Sequence, residues 1–165
     1  MPPLFDTVVV SANAPPCTAG PIPGVAAYAR AVPSTPEPRS GASDDERIAA
    51  ADAYIDALAS HRADAVPFAP GCVRVEQGVK TGFSGEHLRR SLNNGPQYRI
   101  IEATTDRTFT IDGDHVHATF TVVTKARFAG RRVVAPVRET FLIPADDGRI
   151  HHIRARFSPT LRREG

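Results

Sequence analysis

His115–Phe128 reads HVHATFTVVTKARF. Val116, Ala118, Phe120, Val122, Ala126 and Phe128 fall on one parity, and His115, His117, Thr119, Thr121, Lys125 and Arg127 on the other. Alternation with period two over this length belongs to a strand with one face buried and one face wet. The same punctuation recurs on both sides. A turn at Asp112-Gly113-Asp114 separates this strand from Tyr98–Ile111, Ala129-Gly130 separates it from Arg131–Ile143, and Asp146-Asp147-Gly148 leads into Arg149–Phe157. Four long strands joined by tight turns predict an antiparallel meander.

The segments upstream read differently. Ser43 stands three residues before Glu46 in capping-box spacing, and Ile48, Ala51, Ile55 and Leu58 then recur at helical intervals, with Tyr54 and His61 on the adjoining stripe. A short helix over Ala63–Phe68, a strand over Cys72–Gln77 and a helix from Ser84-Gly85-Glu86 to Leu92 are expected to follow. Helices ahead of a curved sheet give an α+β fold, with a blind pocket between sheet and long helix.

Composition narrows the possibilities. The 165 residues suffice for one core, and no apolar run approaches the ~20 residues of a membrane span. Twenty basic and 18 acidic residues leave a net charge of +2, which calls for neither a nucleic acid nor a membrane surface as partner. Arg127, Arg131, Arg132, Arg154, Arg156, Arg162 and Arg163 read as a solubilising surface that could hold an acidic partner. Cys17 and Cys72 make neither a disulfide framework nor a metal site, and Val8–Val10 lack the basic flank and length of a secretory segment, so the cytoplasm is expected. Nine of the fifteen prolines lie in residues 1–43, which read as an arm that is mobile or docks through Val25–Val32. The domain is expected over 44–158 and a basic tail over 159–165.

Three segments carry a resemblance. Tyr54-Ile55-Asp56-Ala57-Leu58 is similar to the Tyr-x-x-Ala-Leu helix of ketosteroid isomerases, Val75-Glu76-Gln77 to their Val-Glu-Asp strand, and Arg131–Phe157 to their last two strands. The chain thus resembles the NTF2-like and SnoaL-like superfamily, whose cone packs N-terminal helices inside a curved, mostly antiparallel sheet. The resemblance implies a Tyr and a protonated carboxyl that donate to a developing oxyanion, with a second carboxylate moving the proton. Tyr54 matches the first. It reads equally well as a core tyrosine.

Glu139 matches the acid if the count runs from Gly130, whereas counting from Val133-Val134-Ala135-Pro136 puts Arg138 there. Glu139 shares parity with Val137, Phe141 and Ile143, so an inward carboxyl with a raised pKa is expected. The rival is a solvated pair with an arginine. Gln77 stands at the family's base position, and an amide cannot abstract a proton. Glu76 would serve if a bulge re-aims it, and His151, of one parity with Ile153 and Phe157, is the other candidate. The expected pocket wall is Ile55, Leu58, Phe83, Leu88, Phe120, Val122, Phe141, Ile153 and Phe157. His115 and His117 lack a third metal ligand, and no metal or cofactor is expected.

These residues predict a small isomerase, cyclase or lyase acting on a hydrophobic, oxygenated molecule, and a homodimer is expected, its outer sheet face and proline arm meeting a second copy. The rival is a non-catalytic domain of the same fold that binds a ligand or a protein.

Overall fold

The computed structural model describes residues 41–163. The expectations for the arm, including Cys17 and Val25–Val32, lie outside them.

Helix α1 (Asp44–Ser60) starts where the capping box sets it: the Ser43 hydroxyl accepts from the Glu46 amide and the Glu46 carboxylate accepts from the Ser43 amide. It ends at His61, left-handed at φ 56°, whose amide donates to Ala57. Of the expected stripe Ala51, Ile55 and Leu58 are buried and Ile48 partly so, and Tyr54 on the adjoining stripe is buried with them.

No helix forms over Ala63–Phe68. Pro67 and Pro70 deny that segment helical hydrogen bonds, and the chain is already extended as β1 (Phe68–Glu76). A hairpin strand not expected from the sequence, β2 (Val79–Gly82), follows through Gln77 and Gly78, both at positive φ. Helix α2 (Gly85–Asn94) is capped by Ser84 and buries Leu88 and Leu92. A Cβ on Gly82 would collide with the Leu88 side chain and with Arg74, so only glycine lets α2 sit this close to β2. Tyr98 belongs to a 3₁₀ turn (Pro96–Tyr98), which delays the next strand to Ile101.

The meander itself forms: β3 (Ile101–Asp112), β4 (His115–Phe128), β5 (Arg131–Leu142) and β6 (Ile150–Phe157) pair antiparallel in sequence order. β1 joins the far edge parallel to β6, so the seven-stranded sheet is mixed, in the order β2-β1-β6-β5-β4-β3. Thr160–Arg163, in the segment expected as a tail, forms β7 on the start of β5. Pairing register puts Ala118, Phe120 and Val122 of β4 on one face with Ala135, Val137 and Glu139 of β5.

That concave face receives α1. Tyr54 packs edge-on against Phe68 and Phe141, with ring centroids 6.1 and 5.4 Å apart. Arg47 fastens the helix to the sheet ends: its Nε donates to the Ile143 carbonyl at 2.7 Å, Nη2 to Gly113 at 2.6 Å and Nη1 to Asp44 at 3.1 Å. Among the described residues, no helix is long and apolar enough to cross a membrane.

Candidate active site

Below the far end of α1 the cone stays open as a cavity of about 450 Å³, lined by Leu58, β1, the Tyr98 turn and the inner faces of β3 to β6. Its wall is apolar: Ile101, Phe120, Val122, Val133, Ala135, Val137 and Phe157. Its polar groups come from four strands and the turn: Thr124 of β4 and Gln97 and Tyr98 of the turn join those of β1, β2 and β5. β1 contributes Arg74 and Glu76, β2 Thr81 and β5 Glu139.

β1 places its two residues by register. Arg74 lies beside Ile153 and Glu76 beside Ala155 of β6, both of which face the interior. Cys72, Arg74 and Glu76 are therefore the inward row of β1, and Val73 and Val75 the outward one. Cys72 is buried beneath them and its thiol is pushed up to about 12, chiefly by burial. Arg74 is 2% exposed. Its Nε donates to Thr81 Oγ1 at 3.1 Å and lies 3.6 Å from Glu76, its Nη1 donates to the Tyr54 hydroxyl at 3.3 Å, and its guanidinium stands over the Tyr98 ring at 5.5 Å. Burial disfavours the charge, but Tyr54, Tyr98 and Glu76 outweigh it, so Arg74 stays a cation.

Glu139 is 4% exposed and its Oε2 is buried with no hydrogen-bond partner. Desolvation pushes its pKa up to about 8, with Glu76 adding to the rise and Arg74 opposing it. At neutral pH it is a protonated acid. Glu76 is the more solvated of the pair, with 28% of its side chain exposed. The two carboxyls, one paired with Arg74 and the other buried and influenced by its charge, thus have different environments, the arrangement that separates a proton donor from a proton acceptor.

The candidate residues divide. Leu58, Glu76, Phe120, Val122, Glu139 and Phe157 line the cavity together. Tyr54 does not: it is fully buried, its pKa is raised well above the usual value, first by burial and then by Glu139, and its hydroxyl accepts from Arg74 Nη1. Ile55, Leu88, Phe141 and Ile153 are fully buried core. Phe83 is 60% exposed and stacks edge-on with His87. Gln77, at φ 49° in the turn after β1, turns its amide away to donate to the Phe157 carbonyl. His151 points away from Glu139, because the turn before β6 offers it Asp147, whose Oδ2 lies 2.8 Å from its Nε2.

Arg74 and Tyr98 are the site residues that sequence reading passed over. The available signal was Cys72-x-Arg74-x-Glu76, one parity of a strand headed by a residue type that is usually buried.

Two other hollows lie on the outer sheet face. One, about 770 Å³, runs over Thr119, Thr121, Pro136, Arg138 and Arg156; the other, about 360 Å³, is bordered by His115, His117, Thr140, His152 and Arg154. His115 and His117 stack on each other, and His117 Nδ1 lies 3.1 Å from Thr140 Oγ1.

Residues 41–157 match the family described as a domain of unknown function, DUF8021. No curated protein matches the chain. Among solved structures it is similar to an LEH-like epoxide hydrolase from M. tuberculosis, with a TM-score of 0.55 and 23% identity over 69% of this chain and 84% of that one. It is also similar to an NTF-2 like protein of unknown function from Burkholderia xenovorans LB400, with a TM-score of 0.53 and 16% identity over 73% and 89%. A SnoaL-like family protein from Agrobacterium tumefaciens C58 gives a TM-score of 0.52 and 11% identity over 69% and 98%. The shared feature is the α+β cone.

Proposed function

The chain belongs to the DUF8021 family, and we propose that it is a small acid–base enzyme that opens a C–O bond of a hydrophobic, oxygenated molecule, an epoxide in the first instance. The observation that carries this reading is the buried, unpartnered Oε2 of Glu139, in a carboxyl that holds its proton at neutral pH beside a fixed cation. A polar atom left without a partner in an apolar wall costs stability, and a ligand oxygen is the group that would complete it.

The chemistry balances with groups present in the chain. Glu139 gives its proton to the ring oxygen as the C–O bond breaks, and Glu76 takes a proton from the water whose oxygen forms the new C–O bond. Arg74 Nε lies 3.6 Å from the Glu76 carboxyl, close enough to orient it. Partial exposure of Glu76 favours hydration over a proton shift along a carbon frame, which needs a base shielded from water. For this reason we prefer epoxide opening to the steroid-type isomerisation that the sequence resemblance implies. In that scheme Tyr54 would donate to the ligand, whereas it does not line the cavity and its hydroxyl accepts from Arg74; we assign it the positioning of that guanidinium.

Turnover of an epoxide and enone panel by Glu139→Gln and Glu76→Gln tests the reading. On whichever substrate responds, each variant is expected to lose roughly 10²-fold or more in kcat/KM while staying folded. The wild-type rate should fall as pH rises through about 8, where Glu139 loses its proton. A Glu139→Gln variant within threefold of wild type would remove the proposal. Binding without turnover would return the chain to the rival reading, a ligand-binding domain.

A further inference from the structure

The cavity wall runs as far as Thr124 of β4 and Val133 of β5, at the end of the sheet where β7 pairs with the start of β5. Val133 and Pro159 line the cavity, and Leu161 pairs directly with Val133. The next rung outward sets Arg131 opposite Arg163 on one side and Phe128 on the other. Alternation along β5 runs Glu139, Val137, Ala135, Val133, Arg131, so both arginines stand on the cavity face, one rung beyond its apolar wall.

Two guanidiniums directly opposite each other repel, and an acidic neighbour normally relieves this. The opposite face of the same strand ends shows the relief: Arg132 is paired with Arg162 in register, but Glu102 lies 2.6 Å from Arg132. On the cavity face neither Arg131 nor Arg163 has an acidic partner among the described residues. Beside them Phe128 and Leu161 are 69% and 40% exposed, so the cationic pair sits in an apolar rim. Such a rim matches a ligand that is apolar along its length and negative at its end.

We propose that Arg131 and Arg163 hold the anionic terminus of an elongated amphipathic substrate whose oxygenated segment lies at Glu139, a carboxylate being the simplest such terminus. The proposal rests on the acid–base reading of the cavity and narrows its substrate class. The spacing sets a length. Eight residues of strand at ~3.3 Å put about 26 Å between the Cα atoms of Glu139 and Arg131. The reach of an extended arginine side chain shortens that span, so a ligand with a backbone of sixteen to eighteen carbons, about 20 Å, would match the site.

Fluorescence titration of the full chain with cis-parinaric acid and with its methyl ester tests this without knowledge of the substrate. The acid is expected to bind at least tenfold tighter than the ester at 50 mM salt, and the gap should shrink at 500 mM. In Arg131→Gln/Arg163→Gln, a surface double variant, acid affinity should fall to that of the ester while ester affinity stays unchanged. Equal binding of acid and ester by the wild type, or a preference that survives the double variant, would overturn the proposal. So would a lack of binding by either probe. Sedimentation with phosphatidylserine vesicles that needs the two arginines, with no preference for the free acid, would assign them to a membrane surface instead. Because turnover by Glu139→Gln is measured separately on small epoxides, the acid–base reading and the rim fail or stand independently.

Discussion

Glu139 concentrates the cost and the use of this fold in one side chain. Its register on β5 is fixed by Ala118 on one side and Ala155 on the other, two small residues that leave room for a carboxyl but give it no donor. The consequence is a measurable pH dependence of stability. In the unfolded chain Glu139 ionises near 4.5, whereas the folded chain keeps the proton up to about 8. Between these values the folded state binds the extra proton, so stability is fullest below the lower value and is lost as pH rises through the upper one. Wild-type stability should therefore decline between about pH 5 and 8, by an amount on the order of a few kcal/mol, and Glu139→Gln should flatten the decline. Urea midpoints at unit pH intervals give the comparison. Parallel curves for the two proteins would mean that Glu139 is ionised in the folded state.

At the scale of elements, α1 was legible because its signals are local: the Ser43–Glu46 box lies within one turn, and the apolar stripe is a matter of spacing. The alternation of β4 was equally plain, and it fixed which face of the meander closes over the helix. β1 was not legible. Its inward row carries Arg74 and Glu76, and its outward row carries Val73 and Val75, which reverses the usual pattern. Only pairing with β6, some eighty residues away, sets that parity. The charged row is tolerable because Tyr54, Thr81, Tyr98 and Glu76 surround the guanidinium, a compensation invisible along the chain. His151 failed for a related reason: parity was read correctly, but the neighbouring turn supplied Asp147 as a competing partner.

Arg47 is the corresponding long-range element on the other side of α1, 4% exposed and bonded to carbonyls at two strand ends. Arg47→Met keeps the aliphatic packing and strands both carbonyls, so a loss of about 2–4 kcal/mol is expected, against about 1 kcal/mol for Ser43→Ala at the cap. Equilibrium denaturation separates the two. If Arg47→Met costs no more than the cap, the helix is held by its apolar stripe alone.

At the scale of the whole molecule the two faces of the sheet have opposite characters. The concave face is apolar around a few buried charges, and the outer face is wet. On the outer face Arg138 stands directly opposite Arg156, and Arg154 opposite Thr140, with Asp106 and Asp112 at the ends of the hollows over them. The homodimer expected from the sequence, if built on this face, brings two copies of that arginine cluster together. Such an interface is opposed by long-range repulsion that salt screens over about 8–10 Å at physiological strength. Association through this face should therefore strengthen as salt is raised, the reverse of an interface held by ion pairs. Light scattering on the full chain from 20 to 500 mM sodium chloride measures it: the mass should stay near that of one chain at low salt and move toward two as salt rises. A second copy bound firmly at 20 mM and released at 500 mM would place the contact elsewhere, on a surface where opposite charges meet. Arg138→Glu discriminates further, since replacing a cation on the outer face lowers the repulsion and should permit association at lower salt, while a contact away from this face would not respond.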